Sequence, residues 1–173
     1  CGPSPTIINA QDEDRVFHIL GAATEVNFRG ITIKNGTVTG DYGGLIYNEG
    51  NLNLTFVTLS DGEAIGDNGD NKKSPSGGGG GGGAGLGGAI YNSGTVTLES
   101  NASGACTIAN NTATGGDGGN GGGNGQQFTG IGGDGGGENG GAGGNISNGS
   151  NGLFASGGGG GAGSSNGLYG GGD

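Results

Sequence analysis

The chain has no tryptophan and no methionine, aromatic residues make up 5% of it, and hydrophobic residues only 28%. A broad globular core needs more apolar volume than that. The apolar residues that do exist are concentrated in Thr6 to Ile65 and Ala89 to Ala113, which suits a narrow core running along an axis. Basic residues are also scarce: five lysines and arginines stand against fifteen acids, for a net charge of −10. With no basic patch to release counterions, nucleic acid and anionic membrane surfaces are not expected as partners. The acidity instead keeps a weakly hydrophobic surface soluble or attracts cations. No apolar run approaches the ~18 residues of a membrane span, and no signal-peptide pattern is present.

What the chain has in abundance is glycine, 53 of 173 residues, and between the glycine tracts an apolar phrase bearing threonine occurs three times. Ile31-Thr32-Ile33-Lys34-Asn35-Gly36, Val57-Thr58-Leu59-Ser60-Asp61-Gly62 and Cys106-Thr107-Ile108-Ala109-Asn110-Asn111 each reach a glycine four residues later, at Gly40, Gly66 and Gly115. A second phrase, Gly43-Gly44-Leu45-Ile46-Tyr47-Asn48-Glu49-Gly50-Asn51-Leu52-Asn53-Leu54, returns as Gly87-Gly88-Ala89-Ile90-Tyr91-Asn92-Ser93-Gly94-Thr95-Val96-Thr97-Leu98. The spacings reconcile to one coil of about 26 residues with insertions at Asp67 to Leu86 and Glu99 to Ala105. A repeat this short cannot bury its own apolar face, so neighbouring copies must stack.

Within each coil apolar and polar residues alternate, as in Val26-Asn27-Phe28, Leu52-Asn53-Leu54 and Val96-Thr97-Leu98. That period of two marks strands with one buried face, and the Gly and Asn between them supply the positive φ of tight corners. Equivalent strands are expected to pair in parallel and in register, about 4.8 Å apart. The predicted columns are Val26 under Leu52 under Val96, and Phe28 under Leu54 under Leu98. A third core column is Ile31, Val57 and Cys106, and Thr32, Thr58 and Thr107 form an outward threonine row. The fold class is therefore all-β, a short parallel β-helix, with coils over 1–115 interrupted by glycine-rich residues 67–86, and a glycine-rich region over 116–173.

These phrases resemble the right-handed β-helix repeats of bacterial secreted and surface proteins, including autotransporter passenger domains and the polymorphic outer-membrane proteins with their GGAI motif. The resemblance covers roughly Thr6 to Gly115. It implies a right-handed winding, a location outside the cell or on its surface, and an adhesive or structural role. It transfers no catalytic residue. The chain departs from the outer-membrane group in lacking clear FxxN partners, in its run of seven glycines from Gly77 to Gly83, and in having no membrane barrel.

From Gly115 onward 30 of 59 residues are glycine. Such a tract reads either as a flexible linker or as ordered polyglycine II, a left-handed helix of three residues per turn whose strands bond laterally. The ordered form is the expectation here, with Phe128, Ile131, Ile146, Leu153, Phe154, Leu168 and Tyr169 as occasional apolar anchors. Cys1 and Cys106 allow a single disulfide, within or between chains, although the register of Cys106 points it inward as a free thiol. Cys1-Gly2 also matches the start of a mature bacterial lipoprotein, acylated on its cysteine.

Candidate chemistry is sparse. Asp12, Glu13 and Asp14 beside Arg15 are the one cluster suited to acidic polysaccharide chemistry, but a cluster of this kind between two short strands is more often a solvated turn, which is the expectation here. His18, the only histidine, has no nucleophile partner in a known arrangement. Asp67, Asn68, Asp70 and Asn71 offer hard oxygen atoms to calcium, but their spacing fits neither an EF-hand nor a Ca-binding nonapeptide, and turn chemistry explains them. The threonine row is too short for the flat plane of an ice-binding surface. No catalytic, cofactor-binding or metal residue is assigned. The expectation is a non-catalytic bacterial extracellular structural protein that self-assembles into a filament or surface layer, and the competing one is an adhesin module binding surface glycans or matrix.

Overall fold

The computed structural model describes residues 6–71, 79–102 and 104–120. Among them there is no helix, hence none long and apolar enough to cross a membrane. Two compact units divide the chain: Cys1–Ala64 with Gly87–Ala113, and Ile65–Leu86 with Thr114–Asp173. The long insertion is thus grouped with the segment that follows the last coil.

The described residues form thirteen strands: β1 (Thr6–Asn9), β2 (Phe17–Ile19), β3 (Glu25–Arg29), β4 (Ile31–Lys34), β5 (Thr37–Thr39), β6 (Ile46–Asn48), β7 (Asn51–Thr55), β8 (Thr58–Ser60), β9 (Glu63–Ile65), β10 (Ile90–Asn92), β11 (Thr95–Glu99), β12 (Thr107–Ala109) and β13 (Thr112–Thr114). Consecutive strands belong to different sheets, and each pairs with its equivalent one coil away. The sheet orders are β1-β4-β8-β12, β10-β6-β2, β11-β7-β3 and β13-β9-β5. The architecture is all-β, with parallel strands in stacked sheets, compatible with a β-helix or solenoid.

The registers follow the repeat. Val26 pairs with Leu52 and Leu52 with Val96; Phe28 pairs with Leu54 and Leu54 with Leu98. Thr32 pairs with Thr58 and Thr58 with Thr107. The long insertion falls between strands, so Ile90 still meets Ile46 in register after it, whereas Glu99, read as the first residue of the short insertion, is the last residue of β11 and pairs with Thr55.

A side chain in a middle coil is covered from both sides, one in a terminal coil from one side only. Ile33, Leu45, Ile46, Leu52, Leu54, Val57 and Leu59 are accordingly fully buried, while Leu98 and Ile108 in the last coils are about half exposed. At the opposite end the larger Phe17 and Phe28 fill the interior ring to ring, with centroids 4.7 Å apart.

Corners are fixed by residues that tolerate left-handed backbone. Asn35 (φ 55°), Asp61 (φ 57°) and Asn110 (φ 57°) occupy the same corner of successive coils, because a short side-chain amide or carboxylate bonds locally and offsets the strain. The next position is Gly36 or Gly62, where a Cβ would strike the carbonyl oxygen of Gly44 or Gly88. The fourth coil carries Asn111 there instead. Its Oδ1 accepts from the Gly62 amide (2.8 Å), and its Nδ2 donates to the carbonyls of Ala109 (2.9 Å) and Leu59 (3.2 Å).

A fully buried amide closes the corner between β6 and β7. Asn48 is fully buried, its Nδ2 donating to Asn92 Oδ1 (2.7 Å), Thr95 O (3.1 Å) and Gly50 O (3.2 Å) while its Oδ1 accepts from the Gly50 amide (3.2 Å). Burial without such partners would be costly. The repeated Tyr-Asn-x-Gly of the sequence is this corner written twice.

The described residues of the second unit include three extended segments, Gly66 to Asn71, Gly79 to Gly83 and Thr114 to Asn120, bonded at every third residue. Gly66 and Gly69 donate to the carbonyls of Thr114 (2.8 Å) and Asp117 (2.7 Å), and Gly116 and Gly119 donate to those of Gly83 and Gly80 (both 2.8 Å). Gly83 and Gly80 complete the circuit by donating to Asp67 (2.6 Å) and Asp70 (2.9 Å). Two side chains extend the same pattern: Asn68 Oδ1 accepts from the Asp117 amide (2.8 Å) and Asn71 Oδ1 from the Asn120 amide (2.6 Å). In the run Gly-Asp-Asn-Gly-Asp-Asn every position therefore has its own task. A Cβ on Gly66, Gly69, Gly79, Gly82, Gly116 or Gly119 would run into the backbone of a neighbouring segment, so glycine is needed here for approach and not for positive φ. The rest of the glycine-rich region, with its expected apolar anchors, lies outside the described residues.

Position in a column sets the cost of truncation. Leu54→Ala, fully buried, should lower the unfolding free energy by about 2–5 kcal/mol, whereas Leu98→Ala in the same column should cost less than about half as much. Urea denaturation of the two variants, read by tyrosine fluorescence, checks this.

Candidate functional site

The outer faces of the coils carry the groups that meet solvent. In the first sheet the threonine row is Thr32, Thr58 and Thr107, with Ile7, about half exposed, preceding it in the first coil. Thr32 and Thr58 are half-buried and Thr107 is exposed. The inward neighbours Ile31, Val57 and Cys106 each precede a residue of this row in sequence, and all three pack in or against the core cluster. Cys106 is a free thiol that donates to the carbonyl of Leu54 at 3.2 Å and contacts that of Glu99 at 3.7 Å. Cys1, its expected alternative partner, lies outside the described residues.

The second sheet presents an aromatic row. His18, Tyr47 and Tyr91 are register partners on successive coils, with ring centroids 4.6 and 5.0 Å apart, and Tyr42 stands 4.9 Å from Tyr91. Sequence reading treated His18 in isolation and passed over the row. The signal was there: a tyrosine at the same place in both copies of the second phrase, in line with the histidine.

Arg15 parts from the acidic cluster beside it. Asp12, Glu13 and Asp14 are exposed on a turn where Gln11 (φ 59°) and Asp12 (φ 62°) are left-handed. The guanidinium of Arg15 turns to the next coil, where Nη2 pairs with Asp41 Oδ2 at 2.6 Å and donates to Tyr42 O at 2.8 Å, and Nε donates to Gly43 O at 3.1 Å. It also lies 5.3 Å from the centre of the Tyr47 ring. The hydrogen bond from Arg15, followed by that from the Tyr42 amide, holds the Asp41 carboxyl below the ordinary carboxylate range. Its two strongest acceptors being backbone and Asp41, Arg15 serves the packing of the second coil on the first.

Among the calcium candidates, the side-chain oxygen atoms of Asn68 and Asn71 accept from backbone amides, as do the backbone carbonyls of Asp67 and Asp70. The segment is extended and bonded to neighbours, not turned as the sequence suggested, because glycine at every third residue lets three backbones come together. Among the described residues no group of three His, Cys, Asp or Glu side chains is placed to hold a metal ion.

No protein-family model matches the chain, and no curated protein or solved structure matches it either.

The depressed pKa of Asp41 makes a signed prediction. Because the native carboxyl titrates below its unfolded value of about 3.9, its contribution is present above that pH and is lost as pH falls through the native value. Wild type should lose stability on acidification below about pH 4 more steeply than Asp41→Asn. The difference is expected to be small, since the carboxylate is about half exposed and screened by solvent. Thermal melts of both proteins from pH 6 to pH 2.5 test it.

Proposed function

We propose that this chain is a non-catalytic extracellular structural protein of bacterial origin that self-assembles as the subunit of a filament or surface layer. In this reading its coils wind as a right-handed parallel β-helix and its glycine segments pack as polyglycine II. The three-residue period, the bonds running between segments and the glycines facing neighbouring backbone all support the second part.

The observation that carries the proposal is the course of one column along the first sheet. Ile8, Ile33, Leu59 and Ile108 are successive partners; the two middle residues are fully buried, Ile8 is half-buried and Ile108 is 49% exposed. An apolar column left open where the ladder ends is the feature that natural sheets usually protect. A second copy brings a strand of the same alternation to that edge, and head-to-tail contacts of this kind propagate into fibres. Negative-stain microscopy and light scattering of native material should show polymers, shortened or lost in Ile108→Glu. Only dispersed monomers of wild type at high concentration would remove the reading.

The aromatic row favours a second reading, an adhesin module. Tyrosine rings flanked by the Arg15–Asp41 pair present both apolar edges and hydrogen-bonding groups to a surface glycan. A glycan array should then give binding by wild type that Tyr42→Ala and Tyr91→Ala each reduce; an array blank for wild type disposes of this alternative.

A further inference from the structure

One corner of the coil stack departs from the economy of the others. The turn from the third sheet into the first requires left-handed backbone. In the first coil Gly30 (φ 63°) supplies it, but in the second the residue is Phe56 (φ 56°). A bulky side chain in this conformation is a genuine outlier, and glycine would relieve the strain. Strained residues of this sort gather at binding sites, where surrounding structure holds them in place.

What surrounds Phe56 is built for contact. The insertion after β11 folds back through a turn in which Asn101 and Gly104 exchange backbone hydrogen bonds (2.9 and 3.1 Å). That brings Gly104 against the ring, so closely that a Cβ there would lie 3.1 Å from Phe56 Cδ1. The guanidinium carbon of Arg29 sits over the same ring, 5.3 Å from its centroid. Arg29, Phe56 and Asn101, together with Thr55, Leu98, Glu99 and Ser100, line an open groove.

The two arginines of the chain differ in one respect. Arg15 is saturated by Asp41 and two carbonyls. Arg29 is exposed, and among the described residues its partner is the Phe56 ring, with no carboxylate paired to it. Its column neighbours are Thr55 and then Glu99, and Glu99 is bonded by the Thr55 hydroxyl at 3.0 Å. Contact with an aromatic face limits the orientations of a guanidinium while leaving the N–H donors in the guanidinium's own plane available. Beside it, Leu98 is 53% exposed. The groove, polar over most of its lining, thus offers a planar two-pronged donor beside two apolar side chains, Phe56 and Leu98.

We propose that this groove binds a small carboxylate whose neighbouring group is apolar, such as a free aliphatic acid or the C-terminus of a peptide ending in an aliphatic residue. The carboxylate takes the Arg29 fork in bidentate fashion and the apolar group lies against Phe56 and Leu98. The net charge of −10 opposes the approach of any anion, so affinity comes from short-range contacts and is weak. The site does not depend on self-assembly, and its test is run on dilute monomer.

The experiment is an amide NMR titration of the full chain with N-acetyl-leucine and, in a second arm, with a hexapeptide ending in leucine. N-acetyl-leucinamide and acetate serve as controls lacking one half of the chemistry. Saturable shifts confined to residues 29, 55–56 and 98–101 are expected with at least one carboxylate probe, and which arm binds tighter separates free acid from peptide end. Arg29→Gln should weaken binding about tenfold. Phe56→Gly should weaken it as well while keeping or raising the melting temperature, an outcome that a purely structural ring would not give. Absence of saturable shifts with both carboxylate probes, equal binding of the amide, or undiminished binding by Arg29→Gln would each overturn the proposal.

Discussion

Every feature of the coils depends on the parallel, in-register ladder between one coil and the next. Backbone amides and carbonyls pair across about 4.8 Å, and the same translation that satisfies them lays like side chains over like. Leu52 receives Val26 on one side and Val96 on the other, and Leu54 receives Phe28 and Leu98. With so few apolar residues, this reuse of one narrow interior by successive coils is what makes burial sufficient. It also explains why exposure rises at the last coil, where the column has one neighbour fewer.

The ladder constrains its corners in turn. Backbone that turns from one sheet into the next at fixed intervals needs left-handed residues at fixed places, met by Asn35, Asp61 and Asn110 at one corner and by Gly30 and Phe56 at another. Close approach inside the corner then excludes side chains at Gly36 and Gly62. Where Asn111 replaces that glycine, its amide bonds backbone of its own coil and the one below. Polar atoms thus close the corners of an apolar column, as Asn48 also does within the buried interior.

The glycine segments answer the same problem with another period. The coils satisfy backbone groups by pairing extended strands at a period of two, whereas Gly66 to Asn71, Gly79 to Gly83 and Thr114 to Asn120 do so at a period of three. Without side chains at every third position, backbones come near enough to bond directly. In the Asp-Asn positions between, backbone and side-chain oxygen atoms finish the pattern. Entropy lost in ordering glycine is opposed here by hydrogen bonds from each triplet, not by apolar burial.

The sequence by itself determined the coil length, the in-and-out alternation and the columns, because translational repetition writes spatial neighbours at constant offsets: Thr32, Thr58 and Thr107 are aligned in the text before they are aligned in space. It also placed the long insertion outside the strands, and began the short one a residue early, at Glu99, which ends β11. Only the tertiary structure decided what the non-repeating residues do. Arg15 lies next to three acids in sequence and pairs instead with Asp41, twenty-six positions on, since one coil of the ladder brings that carboxylate alongside. Phe56 carries no mark of strain in the sequence, and its left-handed φ is imposed by the corner. The partners of Gly66, Gly80 and Gly116 were equally hidden, for glycine tracts of uneven spacing have no side-chain pattern from which a register can be read, and packing of the backbones alone selects it.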